Sequence, residues 1–218
     1  MADYAAARQH MIDCQIRPNK VTDPAVVAAL GSLPREDFVP ERLQGVAYID
    51  EDIDLGGGRY LMEPMVLARL FQEAAPSAVD VALVVGAASG YSAAALAAIC
   101  STVVALESDP DLAAGANAAL TALGIDNAAV VQGPLADGCP SQGPYGVILF
   151  DGAVDEVPAA YFDQMEDGGR LAVVLAPAGR VGRAVLYTKA DGRISERPLF
   201  DAAIHRLPGF NESSDFVF

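Results

Sequence analysis

Short apolar runs recur through the middle of the chain: VDVALVV at 79–85, TVVALE at 102–107, AAVVQ at 128–132, YGVILF at 145–150 and RLAVVL at 170–175. They are near-continuous in Val, Ile, Leu and Ala instead of alternating with polar residues. Such runs predict strands covered on both faces, hence a largely parallel sheet with right-handed crossovers. Helical stretches separate several of them, near 90–100, 110–123 and 158–165, with Gly124 placed as a helix stop. The pattern then changes. RAVLYTK, the turn ADG and RISERPLF read as two strands joined by a tight turn, because Asp-Gly supplies the positive φ a hairpin needs. The predicted class is α/β, a doubly wound, mostly parallel seven-stranded sheet finished by an antiparallel hairpin. The tail LPGFNESSDFVF ends in aromatics expected to pack back on the body.

Residues 1–63 read differently, as helices and loops forming a helical annex to the body at 64–218. Asp3 is placed to cap a helix through about Ile16, with Tyr4, Met11, Ile12 and Ile16 on one face. Thr22-Asp23-Pro24 starts a second helix, Pro24 sitting where its missing N–H is harmless, and Gly31 is the expected stop. PREDFVP at 34–40 is bracketed by prolines and cannot be one regular element. AYIDEDIDLGGGRY at 47–60 holds three consecutive glycines and predicts a flexible loop of the kind that closes over ligands; Pro64 then opens a helix through about Ala74.

Composition narrows the function. Of 218 residues 52% are hydrophobic, which excludes a disordered chain, while no apolar run is long enough to span a membrane and MADYAAARQH is no secretory signal. A cytoplasmic protein with no membrane partner is expected. The formal charge of −15, with Lys and Arg scattered, leaves no basic patch for nucleic-acid phosphates. Cys14, Cys100 and Cys139 are odd in number and lack C-x-x-C spacing, so buried, reduced thiols are expected in place of disulfides or a zinc site. The sequence does not fix the oligomeric state.

The candidate chemistry sits at VVGAASGYSAAALA, 84–97, where a strand runs through a glycine turn into a helix. Gly86 permits the turn, Gly90 lets the helix pack close, and Ser89 and the amides from about Tyr91 face the place where a ligand would lie. Glu107, at the end of the next strand, fits a carboxylate accepting both hydroxyls of a ribose. A nicotinamide dinucleotide is disfavoured because G-x-G-x-x-G is absent, and there is no Walker A lysine. By themselves these features are equally compatible with a turn packed from small residues beside a surface Glu.

The order and spacing of several blocks say more. MIDCQIRPNKVTDPAVVAALGSLPREDFVP, AYID at 47–50, GGGRYLMEPMVLARL at 57–70, VVGAASGYSAAALA, VVALE at 103–107, LGIDNAAVVQG at 123–133 and GGRLAVVL at 168–175 together resemble the protein-L-isoaspartate O-methyltransferase family. The resemblance implies S-adenosylmethionine as cofactor, methyl transfer to a carboxylate of a protein or related acceptor, and a substrate loop containing Asp50, Met62, Glu63 and Pro64.

Four positions depart from the family pattern. Val84 stands where the first strand usually ends in an acid, and Ala88 where the loop has its central glycine. Pro134 replaces an Asp that accepts from the adenine amino group, with Asp137 a substitute only if its loop folds back. Met62 removes a hydroxyl from the substrate loop, and Glu63 beside it would repel an acceptor carboxylate. These losses predict weakened or lost cofactor binding. FDGAVDE adds Asp151, Asp155 and Glu156 near the crevice, where with Glu63 they would form an acidic pocket, unless they are an exposed loop with Asp155 capping the next helix. Three readings follow: a methyltransferase with no assigned catalytic side chain, since methyl transfer rests on positioning; a non-catalytic relative acting as a binding or scaffolding module; and a metal-assisted transferase built around Asp151.

Overall fold

The computed structural model of the protein describes residues 3–210. Helix α1 (Tyr4–Met11) is capped by Asp3, whose carboxylate accepts from Ala6 N, and passes into a π-helical turn at Ile12–Ile16. Helix α2 (Pro24–Ser32) is capped by Asp23, which accepts from Ala25 N and Val26 N. It runs one residue past Gly31, so that glycine is not the stop.

The segment at 47–60 is only partly a loop. Its second half folds into β1 (Ile53–Gly56) and β2 (Arg59–Leu61), a separate two-stranded antiparallel hairpin. The consecutive glycines serve its turn: Gly56, Gly57 and Gly58 all have positive φ, which L side chains rarely adopt. Helix α3 (Pro64–Ala74) follows as expected.

The body comprises β3 (Val81–Val85), α4 (Tyr91–Ala97), β4 (Thr102–Glu107), α5 (Pro110–Ala122), β5 (Ala128–Gln132), β6 (Tyr145–Val154), α6 (Ala159–Asp163), β7 (Met165–Leu175), β8 (Arg183–Ala190) and β9 (Arg193–Asp201). Strands β6 and β7 extend beyond their apolar runs. The seven-stranded sheet has the order β5-β4-β3-β6-β7-β8-β9; β3 to β7 are parallel, and β8 and β9 are added antiparallel. The β8–β9 turn uses Asp191 and Gly192, both at positive φ, as the Asp-Gly pair required.

Successive strand residues feed two cores. Ala82, Val84, Val147 and Leu149 join the core that also takes Met11, Ile16, Leu30 and Phe38 of the annex and Leu67 and Phe71 of α3. Leu83, Val85, Ile148 and Phe150 face the other core with Tyr161 and Leu207. Burial on both faces is why the strand sequences lack alternation. At the other end of the sheet from the crevice, Arg170 bonds both oxygens of Asp80 at 3.0 and 2.8 Å and the carbonyls of Ala74 and Ala75, tying β7 to the C-terminus of α3. Cys100 and Cys139 are buried, but Cys14 is exposed, contrary to expectation. Phe210 packs on Phe150 at 5.6 Å, while the aromatics at 216 and 218 lie outside the described residues.

Candidate active site

Order reverses between β3 and its two neighbours, β4 and β6, which places a crevice at the carboxyl ends of these strands. The loop Gly86–Gly90 enters it. Gly86 and Gly90 have φ of 78° and 92°, and a Cβ on Gly90 would stand 3.1 Å from Ala116 Cβ, so this glycine is what lets α5 approach the loop. Ala88 takes the left-handed conformation too, with φ of 48°, at a cost of about 1–2 kcal/mol for a residue with a Cβ.

Glu107 and the loop do converge. The Glu107 Oε2 accepts from Ala88 N at 2.7 Å, and Oε1 accepts from Ser108 N and Asp109 N at 2.8 and 3.0 Å. The hollow they share is filled, however. Arg59 from β2 donates through Nη1 to Glu107 Oε1 at 2.8 Å and through Nη2 to the Gly86 carbonyl at 2.7 Å. Arg59 is 3% exposed and Glu107 0%. Leu207 enters from the segment after β9: a Cβ on Gly86 would lie 2.5 Å from Leu207 Cδ2 and 2.9 Å from Arg59 Nη2. What remains beside them is a cavity of about 10 Å³, room for about one water.

The other crevice amides are used internally as well. Gly86 N and Ala87 N both donate to the Leu106 carbonyl, at 2.9 and 3.0 Å. Ser89 Oγ is buried without a partner. Tyr91 opens α4 as expected, but its ring is buried edge-on to Phe38 and beneath the Arg35 guanidinium, 4.7 Å from the ring centroid. Arg35, fully buried, donates from Nε to the Ala47 carbonyl and from Nη2 to that of Met62, each at 2.7 Å, fixing both ends of the 47–62 segment to the 3-10 turn at Arg35–Phe38. Burial lowers its pKa, opposed by Tyr91.

Met62 is buried and Asp50 exposed, whereas Glu63 is half-buried beside other acids, with its amide donating to Asp52 Oδ1 at 2.8 Å. Burial first, then Asp52, Asp50 and Glu51, push the Glu63 carboxyl up to about 7. At pH 7 about half of it is therefore protonated, which lessens the repulsion expected toward an acceptor carboxylate and does so more as the pH falls. Pro64 is the first residue of α3.

The acidic pocket is not assembled. Asp151 is buried, accepting from Ser92 Oγ with its Oδ1 unpartnered; burial drives it up to about 7 against the opposing effects of Ser92, Arg59 and Arg35. Asp155 forms an ion pair with Arg206 at 2.7 Å instead of capping α6, whose N-cap is Pro158, and Glu156 is exposed. Among the described residues no three His, Cys, Asp or Glu side chains form a metal-holding group. Asp137 lies in a 3-10 turn beside Gln164 and Pro140, in a groove that contains none of the crevice residues, and does not replace the acid missing at Pro134.

Sequence reasoning missed Arg59, Leu207 and Arg35. The only signal for Arg59 is its place directly after the three glycines, and Leu207 had none beyond its tail of mixed character.

Sheet order, the terminal antiparallel pair and the glycine loop facing a strand-end carboxylate define the Rossmann-like methyltransferase fold. Comparison with known proteins agrees. Residues 6–203 match the family described as Protein-L-isoaspartate(D-aspartate) O-methyltransferase (PCMT), and the chain belongs to that family of S-adenosylmethionine-dependent methyltransferases. It is 34% identical over 211 residues to the protein-L-isoaspartate O-methyltransferase of Koribacter versatilis (strain Ellin345), covering 96% of this chain and 94% of that one. Against protein-L-isoaspartate O-methyltransferase 1 of Rhodopseudomonas palustris (strain HaA2) it is 36% identical over 188 residues, covering 86% and 77%. A solved protein-L-isoaspartate O-methyltransferase superposes with a TM-score of 0.81 at 24% identity, over 93% of this chain and 67% of that one. A Plasmodium falciparum chain solved in complex with S-adenosyl-L-homocysteine gives 0.80 at 18% identity, over 96% and 100%. No helix of the described residues is long and apolar enough to cross a membrane.

Proposed function

We propose that this chain works in the cytosol in its family's reaction class, methyl transfer from S-adenosylmethionine to a carboxylate of a protein or peptide acceptor, without a nucleic-acid partner. In this reading residues 1–63 form the annex with the substrate loop, residues 64–218 form the transferase body, and Gly86, Ser89, Gly90, Tyr91 and Glu107 line the cofactor crevice. The observation that carries it is the convergence of Glu107 with the Gly86–Ala88 loop, Oε2 to Ala88 N at 2.7 Å, at the sheet's topological switch point.

In its present conformation the crevice does not fit the cofactor, because Arg59 and Leu207 occupy it. The chemistry assignable to the chain's own residues is therefore that of the acceptor side. Glu63, half-buried and with its carboxyl pushed up to about 7, is predominantly a neutral acid below that pH. As such it repels an incoming carboxylate less and offers it an O–H donor. Arg35 keeps the Met62 backbone in place beneath.

The test is transfer of a labelled methyl group to an isoaspartyl peptide, with base-labile ester as product. Esterification that falls as the pH rises through about 7, and a Glu63→Gln variant that loses this pH dependence, support the proposal; no ester at any pH counts against it. A second reading, a family member that serves as a binding or scaffolding module, is favoured by the Arg59–Glu107 pair itself, since a carboxylate already paired has less to offer a ribose. Failure of both cofactor binding and methylation would select it.

A further inference from the structure

We infer that Arg59 and Leu207 are internal ligands of the nucleoside crevice, and that Arg59 is the residue that decides whether the crevice accepts a nucleoside. The inference rests on the methyltransferase reading of that crevice. Arg59 gives Glu107 the polar partner that a sugar diol would give it, and its second nitrogen satisfies the Gly86 carbonyl. Leu207 lies over Gly86 of the loop and Gly152 of β6: a Cβ on Gly152 would come within 2.7 Å of it, as one on Gly86 would at 2.5 Å.

The two plugs come from elements outside the β3–β7 scaffold that are fastened to each other. Arg59 is carried by the β1–β2 hairpin beyond its glycine turn. Leu207 is carried by the segment after β9, held along β6 by Ala153 N to the His205 carbonyl at 2.9 Å and Leu207 N to the Ala153 carbonyl at 2.8 Å. Next to Arg59, Tyr60 stacks on His205, with ring centroids 3.4 Å apart and planes 10° apart. His205 also bonds Asp52, through its backbone N at 3.1 Å and its ring Nδ1 at 2.9 Å. Hairpin and segment are thus clipped together two residues from one plug and one residue from the other. For a nucleoside to reach Glu107 the clip has to part, and both side chains leave together.

A crevice that is competent only in its open fraction binds with an affinity reduced by that fraction. The experiment is calorimetric titration of S-adenosylhomocysteine into the full chain and into Arg59→Gln, Leu207→Ala and the double variant, with hydrogen exchange of residues 53–61 and 202–207 followed with and without ligand. Removing the plugs is expected to tighten binding by about tenfold or more, most in the double variant. In the wild type, ligand should speed exchange in both segments at once. Should Arg59→Gln fail to fold, Leu207→Ala, which removes only apolar bulk, carries the same comparison. Equal, tight binding by wild type and variants would overturn the plug and leave the methyltransferase reading standing. Folded variants that all bind no S-adenosylhomocysteine would overturn both.

Discussion

A guanidinium held against a carboxylate away from water has few substitutes. Both charges of Arg59–Glu107 have lost their hydration, and what they recover comes from each other, the Gly86 carbonyl and three backbone amides. Removing one partner strands the other, whereas removing both leaves little uncompensated. Arg59→Ala is accordingly expected to cost about 3–5 kcal/mol in urea unfolding, while Arg59→Met combined with Glu107→Gln recovers most of that loss. A single variant as stable as wild type would mean the pair is not buried as described. The half of this pair that is legible in the sequence is the acid, because a carboxylate at the end of the second parallel strand has a place in a known pattern. Its partner is not, since a lone Arg in a polar stretch reads as solvated by default and only the three-dimensional return of the hairpin buries it. Val84, Ala88 and Pro134 were readable one by one as departures on the cofactor side, and Met62 as one in the substrate loop. That Arg59 and Leu207 stand against Glu107 and Gly86 was not.

At the scale of elements, the sheet was legible because its strands are buried on both faces and declare it in Val, Ile and Leu runs, and because Asp191-Gly192 announces the last turn. The segment at 53–61 misled for a physical reason. Three glycines read as freedom, yet here they supply the positive φ values of a turn whose strands are anchored by buried Ile53 and Leu61. A two-stranded hairpin is marginal alone in water and depends on what it packs against. Beyond those anchors, Arg59 and the partly buried Leu55, it is attached to the segment after β9 by the Tyr60–His205 stack, an aromatic pair of the kind worth about 0.5–1.5 kcal/mol beyond area burial. Tyr60→Ala should thus raise hydrogen exchange at 53–61 and 202–207 several-fold while β3 to β7 exchange as before. Uniform acceleration across the sheet would show that the hairpin belongs to the global cooperative unit.

For the whole molecule the acids pull stability in opposite directions along the pH axis. Asp80 sits below its ordinary value: burial alone would raise it, but the bonds from Arg170 and Ser77 overcome that. Its contribution is present above about pH 4, the unfolded value, and is lost as the pH falls through its lower folded pKa. Asp151 and Glu63 behave in the reverse sense, both raised to about 7 chiefly by burial. An acid whose folded pKa is raised binds its proton more tightly when folded, so its stabilisation is complete below about pH 4 and disappears as the pH climbs through about 7. With a formal charge of −15 adding self-repulsion, the protein should be most stable on the acid side of neutrality, near pH 4–6. Asp151→Asn isolates the largest buried contributor: the amide oxygen still accepts from Ser92, but no charge forms in the crevice as the pH rises. The expected result in urea unfolding followed from pH 4 to 8 is a flatter profile for the variant, with a gain over wild type on the order of a few kcal/mol at pH 8 and little difference at pH 4. Part of the slope the variant retains between pH 5 and 8 then belongs to Glu63 and should be lost on adding Glu63→Gln. Parallel profiles for wild type and Asp151→Asn would mean that Asp151 is ionised in the folded protein at neutral pH, its charge held by Arg59 and Arg35 more strongly than burial opposes it.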